Sequence, residues 1–167
     1  MIRQFRGRWP KIDASAFVDD SAQVIGDVAI GADSSIWMQA VVRGDVNQIR
    51  IGQRTNVQDG CVVHVMQGTH PTQIGDAVTI GHRAIVHGCT VADRVLIGMG
   101  AIVLNGARIG EDSIVAAGTL ITEGFVVPPR SMVMGSPGKV RRPLTDAEVA
   151  AILDSAANYV RYKKDYQ

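Results

Sequence analysis

Aromatic residues are scarce in this chain of 167 residues: only 5% of the positions are Phe, Trp or Tyr, although 46% are hydrophobic. Glycine is abundant, with 18 residues. This composition argues against a single core built around large rings. It favours many thin, similar layers packed with aliphatic side chains, and the length allows one domain with a sizeable core.

Neither sign of charge dominates, since 17 Lys and Arg residues face 16 Asp and Glu residues and the net charge is +1. Without a basic patch or polybasic tail, we expect no nucleic-acid partner and no membrane partner. No apolar run is long enough to span a bilayer, and residues 1–10 lack the apolar segment of a signal peptide. The two cysteines, Cys61 and Cys89, fall on core positions, so we expect reduced thiols and a cytoplasmic protein.

An aliphatic residue returns at every sixth position along most of the chain. Three copies of the unit follow one another in "IGEDSIVAAGTLITEGFV", at Ile109, Val115 and Ile121. Six is not a helical period, and a hexapeptide repeat is typical of a parallel β-helix, in which three units form one triangular coil. Eighteen positions share this register and predict about six coils. They are Val18, Val24, Ile30, Ile36, Val42, Ile51, Val57, Val63, Ile74, Ile80, Val86, Val91, Ile97, Val103, Ile109, Val115, Ile121 and Val127.

Two steps in this register are longer than six residues, and we expect each to form an outward loop, near "RGDVNQ" (43–48) and "MQGTHPTQ" (66–73). After residue 127 the pattern fades into a Pro/Gly-rich connector. "TDAE" at 145–148 is a capping box followed by apolar residues at helical spacing, which predicts an amphipathic helix over 145 to about 163. The chain thus divides into a β-helix with its lead-in over 1–136 and a connector with a C-terminal helix over 137–167.

The repeat places the histidines on the triangle when faces are counted from Val63 as face one. His64 and His87 each directly follow an inward residue of face one, so they stack one coil apart at about 4.8 Å. Two imidazoles stacked in this way can hold one metal ion. His82 falls on face three, and the five residues to His87 span up to ~16 Å when extended. His82 should therefore be too far away to bind the metal ion held by the pair in its own chain, and a neighbouring chain could supply it instead. We expect a homotrimer in which each interface combines His64 and His87 of one subunit with His82 of the next.

Polar residues accumulate in the same columns, which supports a site over chance placement. Arg43 shares the column of His64 and His87, and Asp59 shares the column of His82. His70 lies in the second outward loop without a column partner. We interpret it as an ordinary polar residue, with a proton relay as the lesser alternative.

Four motifs together, "RGD" (43–45), "NVQDG" (56–60), His64 and "GHRAIVHGC" (81–89), resemble the γ-class carbonic anhydrases over almost the whole chain. The resemblance implies an all-β solenoid, namely a left-handed parallel β-helix with a C-terminal α-helix. It also implies that His64, His82 and His87 are the zinc ligands, shared across a trimer interface. The implied activity is the reversible hydration of CO2 to bicarbonate by metal-bound hydroxide.

The resemblance implies further roles close to the metal. Gln58 matches a side chain that hydrogen-bonds the metal-bound water, and Asn56 matches a residue near the substrate. Tyr159 matches a tyrosine that lines the pocket.

Three charged residues match a network beside that site: Arg43 and Asp59 match an intersubunit ion pair, and Asp45 belongs to the same network. The acidic proton-shuttle loop of well-known members is missing, because "VMQGTHPTQ" has no carboxylate and Val46 stands where a second glutamate is expected. We therefore expect slow turnover.

Other metals and functions stay open at this point. Histidine nitrogens suit Zn²⁺, with Fe²⁺ and Co²⁺ as alternatives. An acyltransferase or thioesterase on the same trimeric fold is a second interpretation; the acetyltransferases of this fold use one histidine as a general base and should need no metal. A non-catalytic metal-binding scaffold is the third interpretation.

Overall fold

The aliphatic repeat forms three parallel ladders that run the length of a β-solenoid of about seven turns. A computed structural model describes residues 1–166. The strands are β1 (Ile2–Arg3), β2 (Lys11–Ile12), β3 (Phe17–Val18), β4 (Gln23–Ile30), β5 (Ser35–Ile36), β6 (Val41–Ile51), β7 (Asn56–Val57), β8 (Val62–His64), β9 (Thr72–Ile74), β10 (Thr79–Ile80), β11 (Ile85–His87), β12 (Thr90–Val91), β13 (Leu96–Ile97), β14 (Ile102–Val103), β15 (Arg108–Ile109), β16 (Ile114–Val115), β17 (Leu120–Ile121), β18 (Val126–Val127), β19 (Ser131–Met134) and β20 (Lys139–Pro143).

Each face of the triangle stacks one inward residue per coil, in the predicted register. Face one stacks Val24, Val42, Val63, Val86, Val103 and Ile121. Face two stacks Ile12, Ile30, Ile51, Ile74, Val91, Ile109 and Val127. Face three stacks Val18, Ile36, Val57, Ile80, Ile97, Val115 and Val133. Except for the half-buried Ile12 and Val18, all of these residues are buried, so the ladders form the core.

The structure confirms the predicted parallel β-helix with a C-terminal helix, but it extends the repeat at both ends. Ile12 and Val133 each add one position to the eighteen predicted, which gives about seven turns rather than six. The predicted connector is wrong in part, because its Pro/Gly-rich segment contains two strands. β19 continues face three by pairing with β16, and β20 folds back antiparallel on β19.

The first predicted loop is an outward bulge within a strand. Residues 43–48 lie within β6, an eleven-residue strand that turns the corner between faces one and two. Its ladder with β4 shifts register, so that Gly44 pairs with Gly26 and Ile49 with Val28, and residues 45–48 bulge outward between these pairs. The second long step does form a loop, closed by a bridge between Met66 and His70.

The C-terminal helix α1 spans Asp146–Tyr162 and begins at the predicted capping box. Thr145 Oγ1 accepts a hydrogen bond from the Glu148 backbone N–H, and the Glu148 carboxylate accepts one from the Thr145 N–H. The helix lies on face three, where the Ser155 and Thr79 hydroxyl oxygens are 3.2 Å apart and Ile152 is buried. In residues 1–166 no helix has the length and apolarity needed to cross a membrane.

Both cysteines are buried and free, as predicted. Burial raises the pKa of the Cys61 thiol to about 11. Burial also raises the pKa of the Cys89 thiol to about 12. At neutral pH both side chains therefore stay protonated and pack as small core residues.

Lys163, in the short 3-10 helix after α1, ties the C-terminus to the first coils. Its side chain is almost fully buried, and its ammonium donates hydrogen bonds to the Ser15 carbonyl and, at 2.9 Å, to the Asp33 carboxylate. Burying an ammonium group is costly unless it is paired, and these two contacts pair it.

Replacing Lys163 by Met should lower the free energy of unfolding by about 1–3 kcal/mol, because the hydrogen bonds to a charged group are lost. Urea denaturation followed by circular dichroism measures the change. The matched control is Lys164→Met at the exposed neighbouring position, which should leave the midpoint unchanged. Equal midpoints for the two variants would contradict the proposed tie.

Candidate metal centre

His64 and His87 converge on face one with two ring nitrogens facing each other. They are direct partners in the ladder between β8 and β11, as predicted from the repeat. His64 Nδ1 lies 3.1 Å from His87 Nε2. Two nitrogens bound to one tetrahedral zinc at about 2.0–2.1 Å lie roughly 3.3 Å from each other. The spacing of the pair therefore fits a shared metal ion.

A carboxylate lies behind the His64 ring. His64 Nε2 donates to Asp45 Oδ1 at 2.9 Å, because a carboxylate can only accept. Asp45 is itself held by the Arg43 guanidinium and by the Val46 backbone N–H. A neutral His64 with its proton on Nε2 has a lone pair on Nδ1, the atom that faces His87. Metal-binding histidines commonly carry such an acceptor behind the ring.

The protonation states suit this arrangement. Burial lowers the pKa of the His64 imidazole, and the hydrogen bond with Asp45 offsets only part of that effect. Burial alone would raise the pKa of Asp45, but the hydrogen bonds from His64, Arg43 and the Val46 N–H outweigh it and lower the pKa. At neutral pH the pair is therefore a neutral imidazole beside an ionised carboxylate, which is the state that a metal ligand requires.

His82 lies in the turn that directly follows β10 of face three, the face predicted for it, and it has its own carboxylate. Its Nδ1 is 3.0 Å from Asp59 Oδ2, so Nε2 is the ring nitrogen that this carboxylate does not contact. The residues described for the single chain include no group of three or more His, Cys, Asp or Glu side chains placed to hold a metal. One chain therefore presents a pair of histidines on one face and a single histidine on another.

Gln58, Asn56 and Tyr159 also lie on face three, with His82 rather than with the histidine pair. Gln58 is buried; its Oε1 accepts from the His82 backbone N–H at 3.2 Å and its Nε2 donates to Asn56 Oδ1 at 3.0 Å. Both ends of the amide are therefore fixed. Tyr159, on α1, packs edge-on against Trp37, and burial followed by the nearby Asp59 carboxylate raises the pKa of its hydroxyl.

The predicted ion pair between Arg43 and Asp59 does not form within one chain. Arg43 contacts Asp45 instead, and Asp59 contacts His82. The pair between subunits stays a prediction. His70, half-buried in the loop, has its Nδ1 2.9 Å from the Thr69 hydroxyl oxygen and lies apart from the pair of histidines on face one.

Two features of the site were missed by the sequence reasoning. The first is a hydrogen bond from His87 Nδ1 to the Asn105 side-chain oxygen at 2.7 Å, with Glu123 behind Asn105. The repeat count alone does not reveal this contact, because Val86 pairs with Val103 and position 105 lies one residue beyond the ladder partner of His87; only the step from Asn105 to Glu123 is one full coil of 18 residues.

The second missed feature is an aliphatic column on the outside of face one, beside His64 and His87. The residue just before each inward residue points outward, and on this face the column reads Val41, Val62, Ile85, Ile102 and Leu120. The same positions on face two read Arg50, Gln73, Thr90 and Arg108. Face one thus presents an apolar surface to the outside, of which Val62 is 37% exposed.

Comparisons with known proteins agree with this geometry. The model of the family described as bacterial transferase hexapeptide (six repeats) matches residues 88–123. The chain is 49% identical over 155 residues to gamma carbonic anhydrase 1, mitochondrial, of Arabidopsis thaliana, which covers 90% of this chain and 56% of that protein. It is 40% identical over 167 residues to the carbonic anhydrase of Geobacillus kaustophilus, which covers 100% of this chain and 91% of that one.

Among solved structures, a hexapeptide transferase family protein from Anaplasma phagocytophilum is similar with a TM-score of 0.96 and 40% identity over 99% of this chain and 98% of that one. The chain spans about half the length of the Arabidopsis relatives but nearly all of the Geobacillus protein. The repeat, the motifs around the three histidines and these identities lead to one conclusion. The chain belongs to the γ-carbonic anhydrase family of hexapeptide-repeat proteins.

Proposed function

We propose that this protein catalyses the reversible hydration of CO2 to bicarbonate at a metal ion shared between two subunits of a homotrimer. The observation that carries the proposal is the convergence of His64 Nδ1 and His87 Nε2 at 3.1 Å. His82 is suited to be the third metal ligand, because it too has a carboxylate behind one ring nitrogen and a second nitrogen that could bind a metal. Family membership supports the same activity.

Three neutral histidines leave one position of a tetrahedral site open, and Zn²⁺ held in that way supplies a water-derived nucleophile at about pH 7. Iron(II) or cobalt(II) would suit the same nitrogens. The chain's own contribution is orientation. Gln58 uses one N–H of its amide to hold Asn56, so its second N–H is fixed in direction and available to a reactant.

The loop beside the proposed site has no acidic side chain that could carry protons away from it. The loop between β8 and β9 contains no carboxylate, and Val46, at the position where a glutamate was expected, is 36% exposed. Protons would therefore leave through solvent or buffer, and we expect turnover to rise with buffer concentration.

The aliphatic column of face one supports the trimer. A contiguous apolar surface on a soluble protein marks an interaction site, and this one adjoins an incomplete set of ligands. A second copy of the chain that covers the column would also bring His82 towards the pair. In a cyclic assembly the contact is head-to-tail, so every subunit gives the pair to one neighbour and His82 to the other.

The acyltransferase alternative is supported by the similarity to a hexapeptide transferase family protein. Such an enzyme would use one histidine as a general base and no metal, so the second histidine of the pair would have no role. A metal-binding protein without hydration activity would retain the site and lose the reaction. Metal content and CO2 hydration, measured on one sample, separate the three functions.

Replacing Ile85 by Glu should dissociate the trimer, because the charge would be buried in the centre of the apolar column. Sedimentation velocity measures the result. Thr90→Glu, at the outward position of face two, is the matched control and should leave the mass unchanged. The proposed interface would be wrong if both variants stayed trimeric, and circular dichroism shows whether each variant is folded.

Mixing two inactive variants tests the shared site. His82→Ala keeps the pair, and the double variant His64→Ala with His87→Ala keeps His82. Each should lose metal and CO2 hydration on its own, while His70→Ala should keep both. Co-expression in equal amounts should restore about one quarter of the sites, since only one of four subunit combinations at an interface is complete. A mixture without metal or activity would refute the sharing of ligands between chains.

A further inference from the structure

A chain of hydrogen-bonded polar side chains continues from His87 into the next two coils. His87 Nδ1 lies 2.7 Å from Asn105 Oδ1, and Asn105 Nδ2 donates to Glu123 Oε1 at 2.9 Å. Asn105 and Glu123 occupy the same corner of successive coils, where the Gly124 N–H donates to the Asn105 carbonyl at 2.9 Å. The backbone ladder therefore fixes the distance between the two side chains.

The corner after His87 is built to admit the Asn105 side chain. The step from Val86 to Val91 is five residues, whereas the step from Val103 to Ile109 is six. The corner that contains Asn105 is therefore one residue longer than the corner after His87, and the Asn105 side chain extends back to His87. Gly88 adopts a φ of +58°, and a Cβ at this position would lie 2.3 Å from Asn105 Oδ1. Only glycine leaves room for this contact without strain.

An amide has a donor end and an acceptor end, and Glu123 determines which end faces His87. An ionised carboxylate accepts but does not donate, so Glu123 can bond only the NH2 end of Asn105. The oxygen end then faces His87 and accepts a proton from Nδ1. His87 is held in the tautomer whose Nε2 carries a lone pair.

The consequence is a pair of lone pairs that face each other. Asp45 keeps the His64 proton on Nε2, and Asn105 keeps the His87 proton on Nδ1. Neither ring then has a proton between His64 Nδ1 and His87 Nε2, which are 3.1 Å apart. Two facing lone pairs repel unless a cation lies between them.

We propose that Asn105 and Glu123 are positioning residues for the metal: Glu123 orients the Asn105 amide, and Asn105 holds His87 in the metal-binding tautomer. The proposal rests on the shared metal site proposed above. Neither residue contacts the metal or the substrate. Glu123 acts only through Asn105, although it lies on the exposed surface two coils from His87.

Cobalt(II) titration followed by visible absorption tests the proposal without any activity assay, because the absorption reports tetrahedral coordination. Asn105→Leu should weaken Co²⁺ binding about 10–100-fold, the usual cost of losing the partner behind a ligand. Asn105→Asp should bind Co²⁺ well, since both of its oxygens are acceptors. Thermal unfolding of each variant checks that the fold is intact.

The decisive comparison is Glu123→Leu in two backgrounds. In the wild-type background it should weaken Co²⁺ binding several-fold, because the amide is free to turn. In the Asn105→Asp background it should not weaken binding. Either oxygen of the aspartate can accept the hydrogen bond from His87, and removing Glu123 also removes a like charge beside that aspartate. Glu111→Leu, an exposed glutamate at another corner, should have no effect in either background.

The outcomes separate the two proposals. Wild-type protein without Co²⁺ binding overturns the metal site and this inference together. Wild-type binding with equal affinity in Asn105→Leu overturns the inference alone. An equal loss from Glu123→Leu in both backgrounds shows a general structural role and also overturns it.

Discussion

The register between successive coils is the constraint on which the rest of this molecule depends. Each strand is only two or three residues long in most coils, so no strand is stable alone. Stability comes from stacking inward Val and Ile residues and from the parallel ladders that join the coils. Because the core admits only one register, the outward side chains also fall into fixed columns.

Those columns bring together side chains that are far apart in sequence. His64 and His87 meet across 23 residues, and His87, Asn105 and Glu123 meet at intervals of 18. No flexible loop is needed to position the pair of histidines, since both lie at strand ends within the ladder. A site on such a scaffold is organised before any ligand arrives.

The core and the columns could be predicted from the sequence because both follow from the six-residue period of the repeat. All eighteen predicted inward positions lie in the three ladders, and the faces assigned to His64, His82 and His87 agree with the structure. The two ends of the β-helix were harder to predict, because Ile12 follows an irregular lead-in and Val133 lies in a Pro/Gly-rich segment. Residues 43–48 were predicted as a loop because the step is long; residues 45–48 do bulge outward, but the ladder with β4 resumes on both sides of them, so β6 remains one strand.

The contacts within the site were less predictable. The Asn105 bond depends on a side-chain rotamer and on one missing residue in the corner after His87, neither of which a repeat count describes. The apolar column was visible in the sequence, because Val62, Ile85 and Ile102 each precede an inward residue. Adjacent aliphatic pairs such as "IV" and "VV" thus identify outward apolar positions as well as core positions.

Anomalous diffraction from zinc-loaded crystals, collected on both sides of the zinc absorption edge, tests the shared site most directly. We expect one peak per chain at about 2.0–2.1 Å from His64 and His87 of one subunit and from His82 of the partner subunit. A peak bound by residues of one chain alone, or no zinc beside His64 and His87, would contradict the proposed centre.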